Sequence, residues 1–202
     1  QRLRARRRIR AIAVGLLLLA TLGLTALWIE QVVFRPRLTP VLLATVTDYA
    51  WPVDPNAWAR EDAARLQMLH RHSLQVRDLS PEWRSSELAL KRLDADLAAL
   101  AASRSLADTV VFYFSMHSAV DSEGKPYLLP AEASPLDSAT WLPVSAVLDR
   151  ISAALPRRVH KLVLLDSNRT GMNWRIGQLH NTFAQRLSDA IDPERHPNLV
   201  IV

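Results

Sequence analysis

Cysteine is absent from the 202 residues of this sequence, and glycine occurs only five times. The absence of thiols excludes disulfide bonds, thiolate zinc sites and catalysis by cysteine. The sequence has no Gly-x-Gly-x-x-Gly segment or other phosphate-cradling loop, so nucleotide chemistry is not expected. The histidines show no metal-ligand spacing either, and we therefore expect neither a metal ion nor an organic cofactor.

The positive charge of the sequence is concentrated at its beginning. The net charge is +5, and six arginines lie within residues 1–10. Removing these six charges leaves about −1 for the remainder, which gives the folded part no basic excess that would attract nucleic acid. Nucleic acid is therefore not expected among the partners of this protein.

An uncharged stretch follows this basic flank at residues 11–29. As a helix it would be roughly 28 Å long, close to the bilayer's hydrocarbon thickness of about 30 Å. Trp28 lies at its far edge, where interfacial aromatic residues collect. These features predict a single-pass transmembrane helix in contact with bilayer lipid. A cleaved signal peptide and a buried core helix are the alternatives, but no small-x-small cleavage site follows the apolar stretch.

The predicted topology follows from the flanking charges. The arginines before the apolar stretch outweigh the two that follow it, which places the N-terminus in the cytoplasm by the positive-inside rule. Residues 30–38 then form a linker, and residues 39–202 form an extracytoplasmic domain. Because Gln1 is not a start methionine and residues 198–202 have the pattern of a strand, we expect the parent chain to extend beyond both ends.

From residue 39 onward, apolar runs of strand length alternate with amphipathic helical patterns. The predicted strands are residues 41–46, 74–79, 110–114, 162–165 and 199–202. The predicted helices run from Asp54–Pro55 to about residue 70, from Ser85 or Ser86 to about residue 100, from Pro143 to about residue 155, and over residues 179–191. This alternation predicts an α/β fold with a doubly wound, mainly parallel sheet.

Polar residues end two of the predicted central strands. One strand ends in Ser-Met-His-Ser at residues 115–118, and the other ends in Asp-Ser-Asn-Arg at residues 166–169. Functional sites of parallel α/β sheets lie at the carboxyl ends of the strands. His117 and Asn168 are 51 residues apart, close to the separation of about 50 between the histidine and the cysteine of caspases.

These segments resemble the caspases and metacaspases. DTVVFYFSMHS at residues 108–118 resembles their apolar strand ending in Ser-Gly-His-Gly, and GKPYLLPAEA at residues 124–133 resembles the loop and short strand that follow. LLDSNRTG resembles their Asp-x-Cys-Arg-x-Gly box. The likeness covers about residues 41–202, the large-subunit half of that fold. It implies that His117 stands at the catalytic histidine and Asn168 at the position of the missing cysteine.

The departures from the family pattern bear on activity. The amide nitrogen of Asn168 is not nucleophilic, and Met116 and Ser118 replace the glycines that flank the histidine. The resemblance also implies that Asp166 matches an acidic residue that helps metacaspases bind Arg or Lys. We therefore expect a membrane-anchored, inactive pseudo-peptidase that binds a peptide or protein partner, or serves as an assembly module, with Asp166 and Ser118 as binding residues.

A hydrolase with a displaced nucleophile is the competing interpretation. Ser167 is adjacent to Asn168, and Ser115 and Ser118 are other hydroxyls near His117. Neighbouring residues of a strand point to opposite faces, so a shift of one residue is unfavourable. The sequence also lacks a Gly-x-Ser-x-Gly elbow. A third interpretation is a purely structural α/β domain without a functional cleft.

Two further features have both a functional and a structural interpretation. The segment DSEG at residues 121–124 resembles part of a calcium loop, although a solvated β-turn is favoured for one short acidic turn. Trp51, Trp141 and Trp174 lie near the predicted site and would form either a recognition surface or a cover over the core, the second being favoured.

Overall fold

The computed structural model describes residues 2–30, 38–50, 53–69, 74–103, 107–167 and 182–202, with the side chains of the first helix described from residue 14. The chain divides into two compact units, Gln1–Arg37 and Leu38–Val202. The first unit contains helix α1, Arg2–Ile29. The second unit contains all the strands described here.

The prediction of a transmembrane helix over residues 11–29 is wrong. Within the described part of the chain, no helix combines the length and the apolar character that crossing a bilayer requires. The predicted single-pass localisation, with a cytoplasmic N-terminus and an extracytoplasmic domain, is therefore wrong as well.

A five-stranded parallel sheet forms the centre of the second unit. Its strands are β1 (Thr39–Thr45), β2 (Leu74–Asp78), β3 (Thr109–Ser115), β7 (His160–Asp166) and β8 (Leu199–Ile201). They lie in the order β2-β1-β3-β7-β8, and each neighbouring pair is parallel. This sheet confirms the predicted mainly parallel α/β architecture.

A smaller antiparallel sheet follows the central strand β3. It contains β4 (Ser118–Val120), β5 (Pro126–Leu128) and β6 (Leu142–Pro143), in that order. Ser118 pairs with Leu128, and the carbonyl of His117 accepts a hydrogen bond of 2.9 Å from the Leu129 amide. The small sheet thereby fixes the backbone immediately after β3.

The helices that follow are α2 (Ala59–Leu69), α3 (Ser86–Ala101), α4 (Val144–Ala154) and the short α5 (Phe183–Leu187), which lies against β4 and β5 of the small sheet. As predicted, Ser85 caps α3: its hydroxyl accepts a 3.3 Å hydrogen bond from the Leu88 amide. Proline 143 immediately precedes α4, also as predicted. The predicted start of the last helix, residues 179–181, lies outside the described residues.

The main core lies between one face of the sheet and helices α3 and α4. Alternate residues of β3 are fully buried there, and the leucines predicted on one face of α3 pack against them. Its members include Val110, Phe112, Phe114, Leu93, Leu97, Leu148 and Ile151. Each such side chain contributes roughly 1.5–3 kcal/mol of burial free energy.

The order of the strands reverses at β1. The chain passes from β1 to β2 on one side, and then returns to β3 on the other side of β1. In open parallel sheets, ligands bind outside the carboxyl ends of the strands at such a switch point. The carboxyl ends of β1, β3 and β7 are level there, because Thr45 pairs with Ser115 and Ser115 pairs with Asp166.

Candidate functional site

His117 lies just past the end of β3 and is 4% exposed. Its backbone N–H donates a 2.8 Å hydrogen bond to the hydroxyl of Tyr49. The two rings are 4.6 Å apart between centroids, with an interplanar angle of 37°. Its Nε2 lies 2.6 Å from the backbone carbonyl oxygen of Asp54. Both partners belong to the loop that follows β1, across the switch point.

The contact with Asp54 determines the tautomer of His117. A backbone carbonyl only accepts hydrogen bonds, so the proton must be on Nε2. In the neutral ring, Nδ1 then carries the basic lone pair. A base oriented by a third group is the arrangement that activates serine and cysteine nucleophiles. The geometry therefore suits His117 to act as a base or as a hydrogen-bond acceptor.

Tyr49 joins three segments through one hydroxyl. It accepts the hydrogen bond from His117 and donates one of 3.2 Å to the carbonyl of Leu129, just after β5. Burial raises the pKa of Tyr49 well above its usual range, and the hydrogen bond from the His117 amide opposes this less strongly. The phenol therefore stays protonated, and it keeps its role as donor to Leu129.

Asp166, at the end of β7, is held by two hydroxyl groups. Its Oδ2 accepts hydrogen bonds of 3.1 Å from the Tyr113 hydroxyl and 3.0 Å from the Ser115 hydroxyl. The side-chain amide of Asn56 in turn donates a hydrogen bond of 3.4 Å to the Ser115 hydroxyl. Burial and, less strongly, the Asp166 carboxylate raise the pKa of Tyr113 to about 12, so this donor is neutral. Among the described residues none donates to Oδ1, and Asp166 is exposed.

We call this group of residues the switch-point site. It consists of Tyr49, Asp54, Asn56, Tyr113, Ser115, His117 and Asp166. Sequence reasoning placed His117 and Asp166 near each other but missed the residues of the β1 loop. The signal that would have found them is positional: the loop after the first strand of such a sheet borders the switch point.

The other predicted site residues are not part of the switch-point site as described. Asn168, at the position of the missing cysteine, lies outside the described residues, as do Trp51 and Trp174. Ser118 is 1% exposed in β4. Ser167 is half-buried after β7. The hydrogen bonds given above for His117 join it to Tyr49, Asp54 and Leu129. The roles assigned to these residues remain predictions.

A groove of about 540 Å³ lies on the β2 side of the sheet. It is bordered by the ends of β1 and β2 and by α2, and its lining includes Thr45, Asp48, Arg60, Ser80 and Arg84. Neither His117 nor Asp166 lines it. The groove is therefore a neighbour of the switch-point site rather than part of it.

The acidic segment at residues 121–124 forms a turn. Asp121 Oδ1 accepts hydrogen bonds of 2.9 Å from the Glu123 amide and 2.8 Å from the Lys125 amide, and Oδ2 accepts one of 3.0 Å from the Tyr127 hydroxyl. Gly124 adopts φ +85°, which glycine tolerates best. The carboxylate is occupied by its own turn, as the β-turn interpretation expects.

Trp141 packs over the small sheet. Its indole N–H donates a 2.6 Å hydrogen bond to the Ser134 carbonyl, and its ring meets Tyr127 edge-on at 5.7 Å. The side chain also packs against the small cluster of Ala119, Leu129 and Ala133. These contacts agree with a covering role over the small sheet.

No protein-family model matches the sequence, and no curated protein matches it. Among solved structures, the Drosophila initiator caspase Dronc is similar, with 15% sequence identity and a TM-score of 0.49. The alignment covers 65% of this chain and 49% of that chain, about half of its length. At this level of similarity neither an activity nor a set of site residues is transferred, and the established result is the mainly parallel α/β fold itself.

Proposed function

We propose that the chain is a caspase-like module that binds a peptide or protein segment at the switch-point site without cleaving it. The observation that carries this proposal is the state of Asp166: two neutral hydroxyls orient one carboxylate oxygen, while no described residue donates to the other. A carboxylate that is oriented but not neutralised is suited to receive a cationic side chain.

The chemistry of the neighbours favours a basic segment as ligand. Tyr113 and Ser115 are donors without charge, so they leave the negative charge of Asp166 in place. Arginine or lysine in a bound segment would supply the opposite charge, and an arginine would also match the carboxylate geometrically. The expected absence of cleavage rests on the sequence, because asparagine at position 168 supplies no nucleophile.

Binding would be tested with fluorescent peptides that contain arginine or lysine, compared with the same peptides carrying norleucine there. The full chain should prefer the basic peptides, and Asp166→Asn should weaken their binding by about 2- to 5-fold, the effect of a partly exposed charge pair. The preference should also decrease with added salt. Fluorescence anisotropy at two ionic strengths measures both effects.

Asp108→Asn provides the matched control. Asp108 is an exposed carboxylate beyond the opposite end of β3, with a weak 3.9 Å ion pair to Arg158. Its substitution changes the net charge by the same amount and should leave peptide binding unchanged. Equal loss in both variants, or no preference for basic peptides in the unsubstituted chain, would contradict a specific role for Asp166.

A serine hydrolase is the second candidate, and the orientation of His117 by the Asp54 carbonyl is what favours it. Against it, the Ser115 hydroxyl already donates to Asp166. An assay of a fluorogenic peptide library separates the two candidates. We expect no turnover by the folded chain; turnover that disappears in both His117→Ala and Ser167→Ala would establish the hydrolase instead.

A further inference from the structure

We infer that Tyr49 is a positioning residue for His117, with separate tasks for its ring and its hydroxyl. The inference deepens the proposed function, since it concerns the same site. Sequence patterns gave no indication of it, because Tyr49 lies in the loop after β1, 68 residues before His117. The contacts of the two residues nevertheless determine the state of the imidazole.

The hydroxyl of Tyr49 fixes the backbone of His117. An amide N–H that is buried without an acceptor costs on the order of 1–3 kcal/mol, so the 2.8 Å hydrogen bond to the phenol is a strong constraint. The proton of that phenol is already donated to the Leu129 carbonyl. The hydroxyl can therefore only accept the hydrogen bond from the His117 amide. The donor and acceptor roles in this network thus have one possible arrangement.

The ring of Tyr49 fixes the imidazole plane. At a centroid distance of 4.6 Å it lies directly against the imidazole, and this contact keeps Nε2 directed at the Asp54 carbonyl. Histidine has a broad χ2 preference, so an imidazole without such a contact would turn and exchange its tautomers. The ring thus holds the imidazole in the orientation in which the Asp54 carbonyl selects the Nε2–H tautomer, and the hydroxyl anchors the main chain that carries it.

Two substitutions separate these tasks. Tyr49→Phe keeps the ring and removes the hydroxyl, whereas Tyr49→Leu removes both. We expect the ¹⁵N spectrum of the unsubstituted chain to show His117 as a single Nε2–H tautomer. Tyr49→Phe should keep that tautomer but accelerate hydrogen exchange of the His117 amide at least about 10-fold, which corresponds to about 1.4 kcal/mol. Tyr49→Leu should show both tautomers in addition.

Tyr127→Phe is the matched control, because its hydroxyl bonds to Asp121 in the turn after β4 and it is not part of the site. It should change neither the tautomer nor the exchange of the His117 amide. The inference is overturned if Tyr49→Phe leaves that exchange unchanged, or if folded Tyr49→Leu keeps a single tautomer. Should Tyr49→Leu fail to fold, the exchange result with Tyr49→Phe still decides.

These measurements contain no peptide and no substrate. A failure of the proposed peptide binding would therefore leave the tautomer and the exchange rates unaffected. Conversely, an unchanged His117 in Tyr49→Phe would refute the positioning role even if Asp166 binds basic peptides. The outcome for Tyr49 is thus independent of the outcome for the proposed function.

Discussion

Both polar side chains at the centre of the switch-point site are oriented by uncharged groups. His117 is held by a backbone carbonyl and a phenol, and Asp166 is held by the hydroxyls of Tyr113 and Ser115. Uncharged hydrogen-bond partners fix the orientation of a side chain without neutralising any charge that it carries. Under the proposed function, Asp166 would offer its negative charge to the ligand, which a direct ion pair with a nearby arginine would prevent.

A second unusual residue lies at the opposite end of the same sheet. Lys161, at the start of β7, is 1% exposed. Its ammonium group donates hydrogen bonds to the carbonyls of Pro197 at 2.9 Å and Pro156 at 3.4 Å. Burial and, secondarily, the charge of Arg157 lower the pKa of Lys161. Its charged form is thus less favourable in the folded protein than in the unfolded chain.

This lysine should make stability depend on pH on the alkaline side. The unfolded chain holds the proton up to a pKa of about 10.4, whereas folded Lys161 loses it at lower pH. Because the unfolded state binds more protons in that interval, the free energy of unfolding should rise as pH increases through it. Lys161→Met should remove this rise. Urea unfolding at several pH values between neutrality and about 10 measures the effect.

The substitution of Lys91 by methionine is the corresponding control, since Lys91 lies on the exposed side of α3. The pH dependence of that variant should match that of the unsubstituted chain. An identical slope in the Lys161 and Lys91 variants would contradict the assignment of the effect to the buried lysine.

At the scale of elements, the sequence predicted all five strands of the main sheet. Four of them contain apolar runs of strand length, whereas β2, LQVRD, is a short segment of mixed polarity. Of the predicted helices, α3 and α4 exist with nearly correct ends, since both carry clear apolar stripes and recognisable start signals. The strands β4 and β6 could not be predicted. With three and two residues, they are too short to show any periodicity.

The start of α2 shows why the site itself was only partly predictable. Asp54–Pro55 has the pattern of a helix start, yet α2 begins at Ala59. The backbone N–H of Asn56 donates a 2.9 Å hydrogen bond to the Thr47 carbonyl, and the Asp54 carbonyl accepts one from Nε2 of His117. One contact within the loop after β1 and one with the distant residue His117 thus replace the first helical turn. The same contacts create the switch-point site, and no local pattern encodes them.

At the scale of the whole molecule, the strand order brings the site together. His117 and Asp54 are 63 residues apart in sequence, and Asp166 and Ser115 are 51 apart. They meet because β3 lies between β1 and β7, with the carboxyl ends of all three strands level. An alternating α/β sequence indicates a parallel sheet but does not state which strand is central. Predicting this site therefore required the order of the strands.

The core of the second unit is assembled from its own residues. Every member of the main hydrophobic cluster lies between Leu42 and Ile201. A fragment comprising Leu38–Val202 should therefore fold cooperatively by itself, with a midpoint within a few degrees of the corresponding transition in the full chain. Circular dichroism in the near and far ultraviolet during heating measures this. A fragment with strand signal but no near-ultraviolet signal or cooperative transition would contradict the prediction.

Leu93→Ala in the same fragment tests whether that transition reports the core. Leu93 is fully buried on α3 within the main cluster. Truncating a buried leucine costs about 2–5 kcal/mol, because apolar contacts are lost and a cavity remains. In a unit of this size the melting temperature should fall by roughly 4–20 °C. Leu88→Ala, at a 44% exposed position of the same helix, should cause a much smaller shift. Equal shifts in the two variants would mean that the transition does not report packing between α3 and the sheet.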